Sequence, residues 1–393
     1  MIPSLRQSFN AAWTPARYAR FLRLLEDRFG EPTQFRHSET PCFLPQKLVQ
    51  EASAAGREIV HQLLANEAYL EAAHAALPAQ CRAPQEDPRP LFVQADFGLD
   101  SQQHLKLVEI QGFPSLYGYQ PALADAYREA YAISNNLAAL PNNLNSSHYT
   151  DLLRRAIVAH HDPGNVVLLE LDPWNQKTRH DFVATERLLG IRTVDAREIQ
   201  KRGRELFHKN GALEIPIHRI YNRVIADELE RRAITLPFDF RDDLNVEWAG
   251  HPNWFFLLSK FSLPFLDHPT VPRTVFLNDA KTIENPAAYV LKPLYSFAGS
   301  GVIIGPTAGQ LAAIPPAQRA NYVLQERVNF TPSISTPEGP AKLEIRVMYL
   351  WLDELEPVNL ILRMGRGDQI GVDHNKGLNW VGASAAFIQE NQP

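Results

Sequence analysis

Cysteine is nearly absent. The 393 residues hold two, Cys42 and Cys81, and no Cys-x-x-Cys pair, so neither a disulfide framework nor a thiolate zinc site is expected. Cys42, beside a proline, has no histidine or asparagine partner in a recognisable motif and reads as a buried structural thiol. Long apolar runs are missing as well. No stretch of 18 apolar residues occurs, and the N-terminus, MIPSLRQSFNAAW, lacks the apolar core of a signal peptide. A cytoplasmic protein without a membrane span is expected. Charge of one sign is not in excess. A net charge of −5 offers no basic surface for nucleic acid or anionic lipid. The two common glycine-rich phosphate loops are absent too: there is no GxGxxG fingerprint, and no GKS or GKT. Internal repeats and low-complexity segments are lacking, and nothing in the composition specifies an oligomeric state.

What is present is an ordinary folded composition, 45% hydrophobic and 21% charged, in a chain long enough for two or three domains. Four regions are expected, in an α/β (α+β) class. Residues 1–90 read helical, with Tyr18, Phe21, Leu22, Leu25 and Phe29 on one face and a proline-rich break at Thr40–Pro45. Residues 91–150 hold a strand pair, a helix near Pro121–Leu137 and a polar linker. Residues 151–250 alternate helix and strand, with the continuous apolar run Asn165–Leu171 typical of a buried parallel strand. Residues 251–393 carry the remaining strands, and Glu390 and Asn391, which have the wrong spacing for Glu-x-Asn, read as a tail.

The organising stretch is Tyr289–Gly305. A strand delivers Lys292, a small-residue loop follows (Ala298-Gly299-Ser300-Gly301), and a second strand begins at Val302. A lysine facing backbone N–H groups of such a loop suits a polyphosphate, and an ordinary hairpin with an edge lysine is the alternative. A second anchor is Leu91–Gln111. Two strands there place Gln94 and Asp96 on one face of the first, and Glu109 and Gln111 on one face of the second. Two carboxylates so placed repel each other unless something cationic lies between them, and Mg²⁺ is the expected occupant.

The order lysine, small-residue loop, strand, together with an acid on one strand and acid-x-amide on the next, resembles the ATP-grasp superfamily. It is similar in particular to the synthetase region of glutathionylspermidine synthase and its relatives, over roughly residues 91–385. The acidic strands come first here, so the chain resembles a circularly permuted ATP-grasp fold, with residues 151–250 as its Rossmann-like pre-ATP-grasp layer. The resemblance implies that Asp96, Glu109 and Gln111 hold Mg²⁺ or Mn²⁺. It implies that Lys260, on a helix before the Val271-Pro272-Arg273-Thr274 strand, and Lys292 reach the ATP phosphates with Gly299, Ser300 and Gly301. The strand Asn321–Val328 would contact adenosine through Gln325, Glu326 and Val328. Arg346 and Arg363, with Glu344 nearby, would offset charge on the transferred phosphoryl group. Gln94 stands where the family carries an arginine, and Gln111 replaces its asparagine. The implied activity is ligation of a small-molecule or peptide carboxylate to an amine through an acyl-phosphate. Nucleotide binding without ligation, and a small-molecule kinase, are the alternatives. Asn222 and Arg223 are further substrate candidates, and Asn375 is a candidate for contact with metal or substrate. His160 and His161, adjacent at a helix end, read as capping or surface residues rather than ligands.

Overall fold

The computed structural model describes residues 1–225, 228–229, 232–280, 283–296, 299–370, 375 and 377–390, and it is a mixed α/β protein with several sheets. The largest sheet is antiparallel, in the order Gly382–Ser384, Leu355–Gly365, Lys342–Trp351, Phe92–Leu99, Leu105–Gln111. Strands from near the start of the chain therefore pair with strands from its end. Alternation divides this sheet's two faces. Val93, Ala95, Phe97, Ile345, Val347 and Leu362 enter one core with the helix Gln46–Leu64. On the other face Phe92, Met348 and Leu350 pack on the parallel sheet described next, while Gln94, Asp96 and Arg346 are buried polar groups further along the same strands.

The parallel sheet has the order Glu247–Ala249, Arg219–Asn222, Val166–Glu170, Arg192–Asp195. Its central strand is buried throughout, as the apolar run requires. Val166 and Leu168 face the helices Ser146–Ile157 and Arg179–Leu189. Val167 and Leu169 face the other way, into a core with Leu206, Ile217, Phe238 and Phe240. That second face meets a small antiparallel sheet, Gln200–Arg202, Glu205–Asn210 and Leu213–Ile217. The extended stretch expected over Ile215–Arg223 is thus two strands in two sheets, separated at His218.

A third unit is the antiparallel sheet Thr274–Phe276, Tyr322–Glu326, Tyr289–Pro293, Ile303–Ile304. Leu291 and Leu324 pack on Leu277 and Leu311, so the alternate residues Lys292, Val323 and Gln325 turn to the opposite face, where Val323 joins the core of the large sheet.

Two expectations need correction. The proline-rich break is a strand, Cys42–Pro45, whose parallel partner is Ala386–Gln389, just before the expected tail. No sequence period marks a pair this short, and each strand becomes legible only beside the other. The helix expected to carry Lys260 is two short pieces, Trp254–Leu257 and a 3₁₀ segment Lys260–Phe265. Pro264 inside the segment and the Ser259 hydroxyl, which accepts from Phe261 N–H, prevent a continuous helix.

The loop after Gln111 is pinned to the parallel unit by one carboxylate. Asp181, fully buried, accepts from Leu116 N at 2.9 Å, Gly118 N at 2.9 Å, Tyr119 N at 3.1 Å and Arg223 Nη1 at 2.8 Å. Arg223 lies over the rings of Phe113 and Phe182. This accounts for Arg223 as a structural group. Asp181→Ala leaves a buried guanidinium and three N–H donors unpaired, and should cost about 3–5 kcal/mol. Urea denaturation measures it, and a loss under about 1 kcal/mol, the scale of a surface pair, would show that the pinning is dispensable.

Candidate functional site

The polar end of the large sheet is an ion cluster built by register. Arg346 lies opposite Asp96, Asp96 opposite Glu109, Glu344 opposite Arg363, and Gln94 opposite Gln111. Cross-strand partners share a face, so these side chains converge. Arg346 grips Asp96 with two bonds, Nε to Oδ1 at 2.5 Å and Nη2 to Oδ2 at 2.6 Å. Arg363 Nη2 donates to the same Oδ2 at 2.5 Å and is also paired with Glu344. Arg346 Nη1 donates to Gln94 Oε1 at 3.0 Å, and Gln94 Nε2 donates to Ser115 O at 2.9 Å. With the Gln111 amide turned over, its oxygen accepts from Arg346 Nη2 at 2.8 Å and Nη1 at 3.0 Å.

The two lysines arrive from outside this sheet. Lys260, buried rather than snorkelling to solvent, has its Nζ 3.3 Å from Glu109 Oε2 and donates to Ser296 O at 2.7 Å. Lys292 Nζ donates to Gln325 Oε1 at 2.6 Å and to Val108 O at 2.8 Å. The second bond depends on an irregularity. Asp96 pairs with Glu109 but Phe97 pairs with Leu107, so Val108 is an extra residue and its carbonyl turns out of the ladder toward the lysine. Gly112 closes the arrangement: a Cβ there would lie 2.6 Å from Trp254 O, and its N–H donates to Leu258 O at 2.9 Å. A larger residue would push Lys260's segment away from the acidic hairpin.

The structure therefore gathers Gln94, Asp96, Glu109, Gln111, Lys260, Lys292, Gln325, Arg346 and Arg363 in one place, and adds Glu344 as the partner of Arg363. Gly299, Ser300 and Gly301 sit on the exposed loop beyond Lys292, while Ala298 lies outside the described residues. Gly301 holds a φ of +71°, and a Cβ there would meet Pro293 Cγ at 2.8 Å, so this turn needs glycine. Glu326, the last residue of its strand, is exposed, and Val328, just past the strand's end, is half-buried. Asn375 is buried in its own turn, accepting from Arg366 N at 3.0 Å and donating to Gln369 O at 3.2 Å. Its neighbours Asp373, His374 and Lys376 lie outside the described residues. Cys42 is buried, and burial pushes its thiol up to about 11, as an inert thiol requires. A cavity of about 420 Å³ beside Trp174, Arg192 and Lys209, and one of about 190 Å³ beside Gln46, Ser53 and Asn142, contain no residue of the cluster.

The electrostatics favour an anion. Four cations, Lys260, Lys292, Arg346 and Arg363, face three carboxylates, Asp96, Glu109 and Glu344. Burial pushes Glu344 up, reinforced by Asp96 and Glu109 against Arg363 and Arg346. Burial pushes Lys292 down to about 8, with Lys260 acting in the same direction and Glu109 against it. Gln325 Nε2, on the lysine's own anchor, is buried with no hydrogen-bond partner among the described residues. A bare divalent cation does not fit: both Asp96 oxygens already accept guanidinium N–H groups. The arginines and lysines are donors of the kind that phosphate oxygens accept, so the residues present fit a polyphosphate. Asp96, Glu109 and the Gln111 carbonyl, if released by it, would offer the hard oxygen donors that Mg²⁺ takes. No protein-family model matches the chain, and no curated protein matches its sequence.

Glu109 supplies a pH test. Burial alone would raise its pKa, but Lys260, Arg346, Lys292 and Arg363 outweigh burial and hold it well below 4.5. The folded pKa is depressed, so its stabilisation is fully present above pH 4.5 and is lost as pH falls below that. Glu109→Gln should remove this part of the acid limb of the stability–pH curve. Superimposable limbs for wild type and variant would contradict the assignment.

Proposed function

We propose that this protein binds ATP with Mg²⁺ between its large antiparallel sheet and the antiparallel sheet that carries Lys292, and ligates a carboxylate to an amine. The observation that carries the reading is the ion cluster itself, in which cations from separate strands and segments converge on the carboxylates Asp96, Glu109 and Glu344 with one positive charge in excess. Lys260 and Lys292 hold phosphate oxygens, with the Gly299–Ser300–Gly301 loop closing over them. Gln325, Glu326 and Val328 border the nucleoside end. Arg346 and Arg363 neutralise charge on the transferred phosphoryl group, the kind of preorganised stabilisation that dominates phosphoryl transfer. Mg²⁺, when bound by Asp96, Glu109 and Gln111, would supply Lewis-acid neutralisation of the phosphates. In the reaction the γ-phosphoryl group passes to a substrate carboxylate oxygen. The amine then attacks the acyl carbon, forming C–N as the C–O bond to phosphate breaks, and the ammonium proton leaves to solvent.

Gln94 favours a second reading, nucleotide binding without ligation. It offers an amide where the resembling synthases carry a guanidinium, and losing one such stabiliser costs about 10²–10³ in rate. Arg346 offsets this in part, since its Nη1 bonds Gln94 and brings a charge to that point of the sheet.

Millimolar ATP with Mg²⁺ should raise the melting temperature by mass action. Lys292→Ala should lose most of the rise while retaining its fold, because Glu109 keeps Lys260 and Arg346. No rise in wild type, or an equal rise in the variant, defeats the site. Ligation is tested separately, by ADP release against pooled amino acids, peptides and polyamines for wild type and Gln94→Arg. Amide product with ADP supports ligation. ATP binding with no stimulated release in either protein supports the binder, and a phosphorylated small molecule without amide supports a kinase.

A further inference from the structure

A second cluster lies at the N-terminal edge of the parallel sheet, where the strands beginning at Val166, Arg219 and Glu247 start in register. The helix Ser146–Ile157 runs to this edge and ends abruptly. Ala159 takes a left-handed conformation, φ +54°, with its N–H on Arg154 O, although it carries a Cβ. Such a residue is disfavoured there by about 1–2 kcal/mol, and the turn it makes brings His160 and His161 round to the first residue of the edge strand. Glu247 is held there by its backbone N–H on His218 O at 2.9 Å.

The three side chains aim at one point. His161 Nε2 is 3.1 Å from Glu247 Oε2 and His160 Nε2 is 3.8 Å from Glu247 Oε1. One donor atom from each of the three lies within 4.8 Å of the other two, and no other such group of His, Cys, Asp and Glu occurs among the described residues. The two imidazole rings lie 4.1 Å apart. His161 is largely buried, with its Nε2 set against the Glu247 carboxylate. A metal bound at about 2.0–2.2 Å from each donor needs donor separations of roughly 3–4 Å, which small side-chain movements supply.

Arg219 competes for the carboxylate and has to be accounted for. Its Nη1 donates to Glu247 Oε2 at 2.7 Å, but its Nε and Nη2 are bound to Ile157 O and Ala156 O, each at 3.0 Å. The guanidinium is thus anchored to the helix end and engages one oxygen. Oε1 is left to ligate, and a hydrogen bond to the non-ligating oxygen is the usual support for a metal-bound carboxylate. His160 and Glu247 are both substantially exposed, so water can complete the coordination.

We propose that His160, His161 and Glu247 form a site for a divalent transition metal of the Zn²⁺ class, separate from the ion cluster. Imidazole donors suit Zn²⁺ and disfavour Mg²⁺, so the two sites select different ions. A metal here cross-links the end of the helix to the edge strand and stiffens the parallel sheet.

Isothermal titration of Zn²⁺ into the chelator-stripped full-length protein, without nucleotide, should show one ion per chain, with a raised melting temperature. His160→Ala and Glu247→Gln alter exposed side chains and should keep the fold. Each should weaken binding by about tenfold or more, the scale seen when support for a metal site is removed. His74→Ala, at the separate His74–Glu86 pair, should leave it unchanged. Excess Mg²⁺ should not compete. Absence of Zn²⁺ binding, or wild-type affinity in both His160→Ala and Glu247→Gln, would overturn the site.

Discussion

The pairing of Asp96 with two guanidinium groups is the constraint on which the rest of the site depends. Asp96 is almost fully buried, and a carboxylate out of water is tolerated only when its lone pairs are taken. Arg346 and Arg363 take them, from the next strand and the one beyond. Those arginines in turn require Glu344, Glu109 and Gln94. The network is therefore also a register lock. A slip of one residue between Phe92–Leu99 and Lys342–Trp351 would send Arg346 into the apolar core on the other face and leave Asp96 unpaired.

The two lysines are held by a different device. Neither sits on the large sheet, and each is fixed by main-chain oxygens as well as by side chains. The bulge at Val108 and the tight approach at Gly112 bring the lysine segments against the acidic hairpin. Their placement thus follows from backbone irregularity, which is more rigid than a chain of long side chains. Asp181 extends the same logic to the loop beyond, tying it to the parallel unit.

Much of this was legible in the sequence wherever period and face decide. Alternation alone put Gln94 with Asp96 and Glu109 with Gln111, and the continuous apolar run marked the central parallel strand. Convergence of Lys260, Lys292, Arg346 and Arg363 on those residues was expected only through a resemblance. What escaped depends on partners distant in the chain. Cys42–Pro45 and Ala386–Gln389 are strands only because they pair with each other. Val108 gave no local sign of a bulge, and Asp181 looks like any acid in a first helical turn. The Mg²⁺ expected between the carboxylates was inferred from their repulsion, and the sequence could not show that guanidinium and ammonium groups already relieve it. The grouping of His160 and His161 with Glu247 was not legible for the same reason, since Glu247 lies far along the chain.

That relief bears on how such a site could work. Four cations held in place without a ligand would repel one another, and three carboxylates held together would do the same. Interleaved, they keep each other fixed at the cost of a desolvation penalty. On the proposed reading, arrival of a polyphosphate exchanges partners rather than creating charge: arginine and lysine turn to phosphate oxygens, and the released carboxylates meet the accompanying metal. The number of unpaired charges stays low through the exchange, so little of the binding energy is spent on ordering side chains that are already confined. The same interleaving opposes a free-standing metal site on the carboxylates, since the ion would have to displace arginine from Asp96 with nothing to receive it. Phosphate and metal affinity should therefore be coupled, each ligand preparing the site for the other.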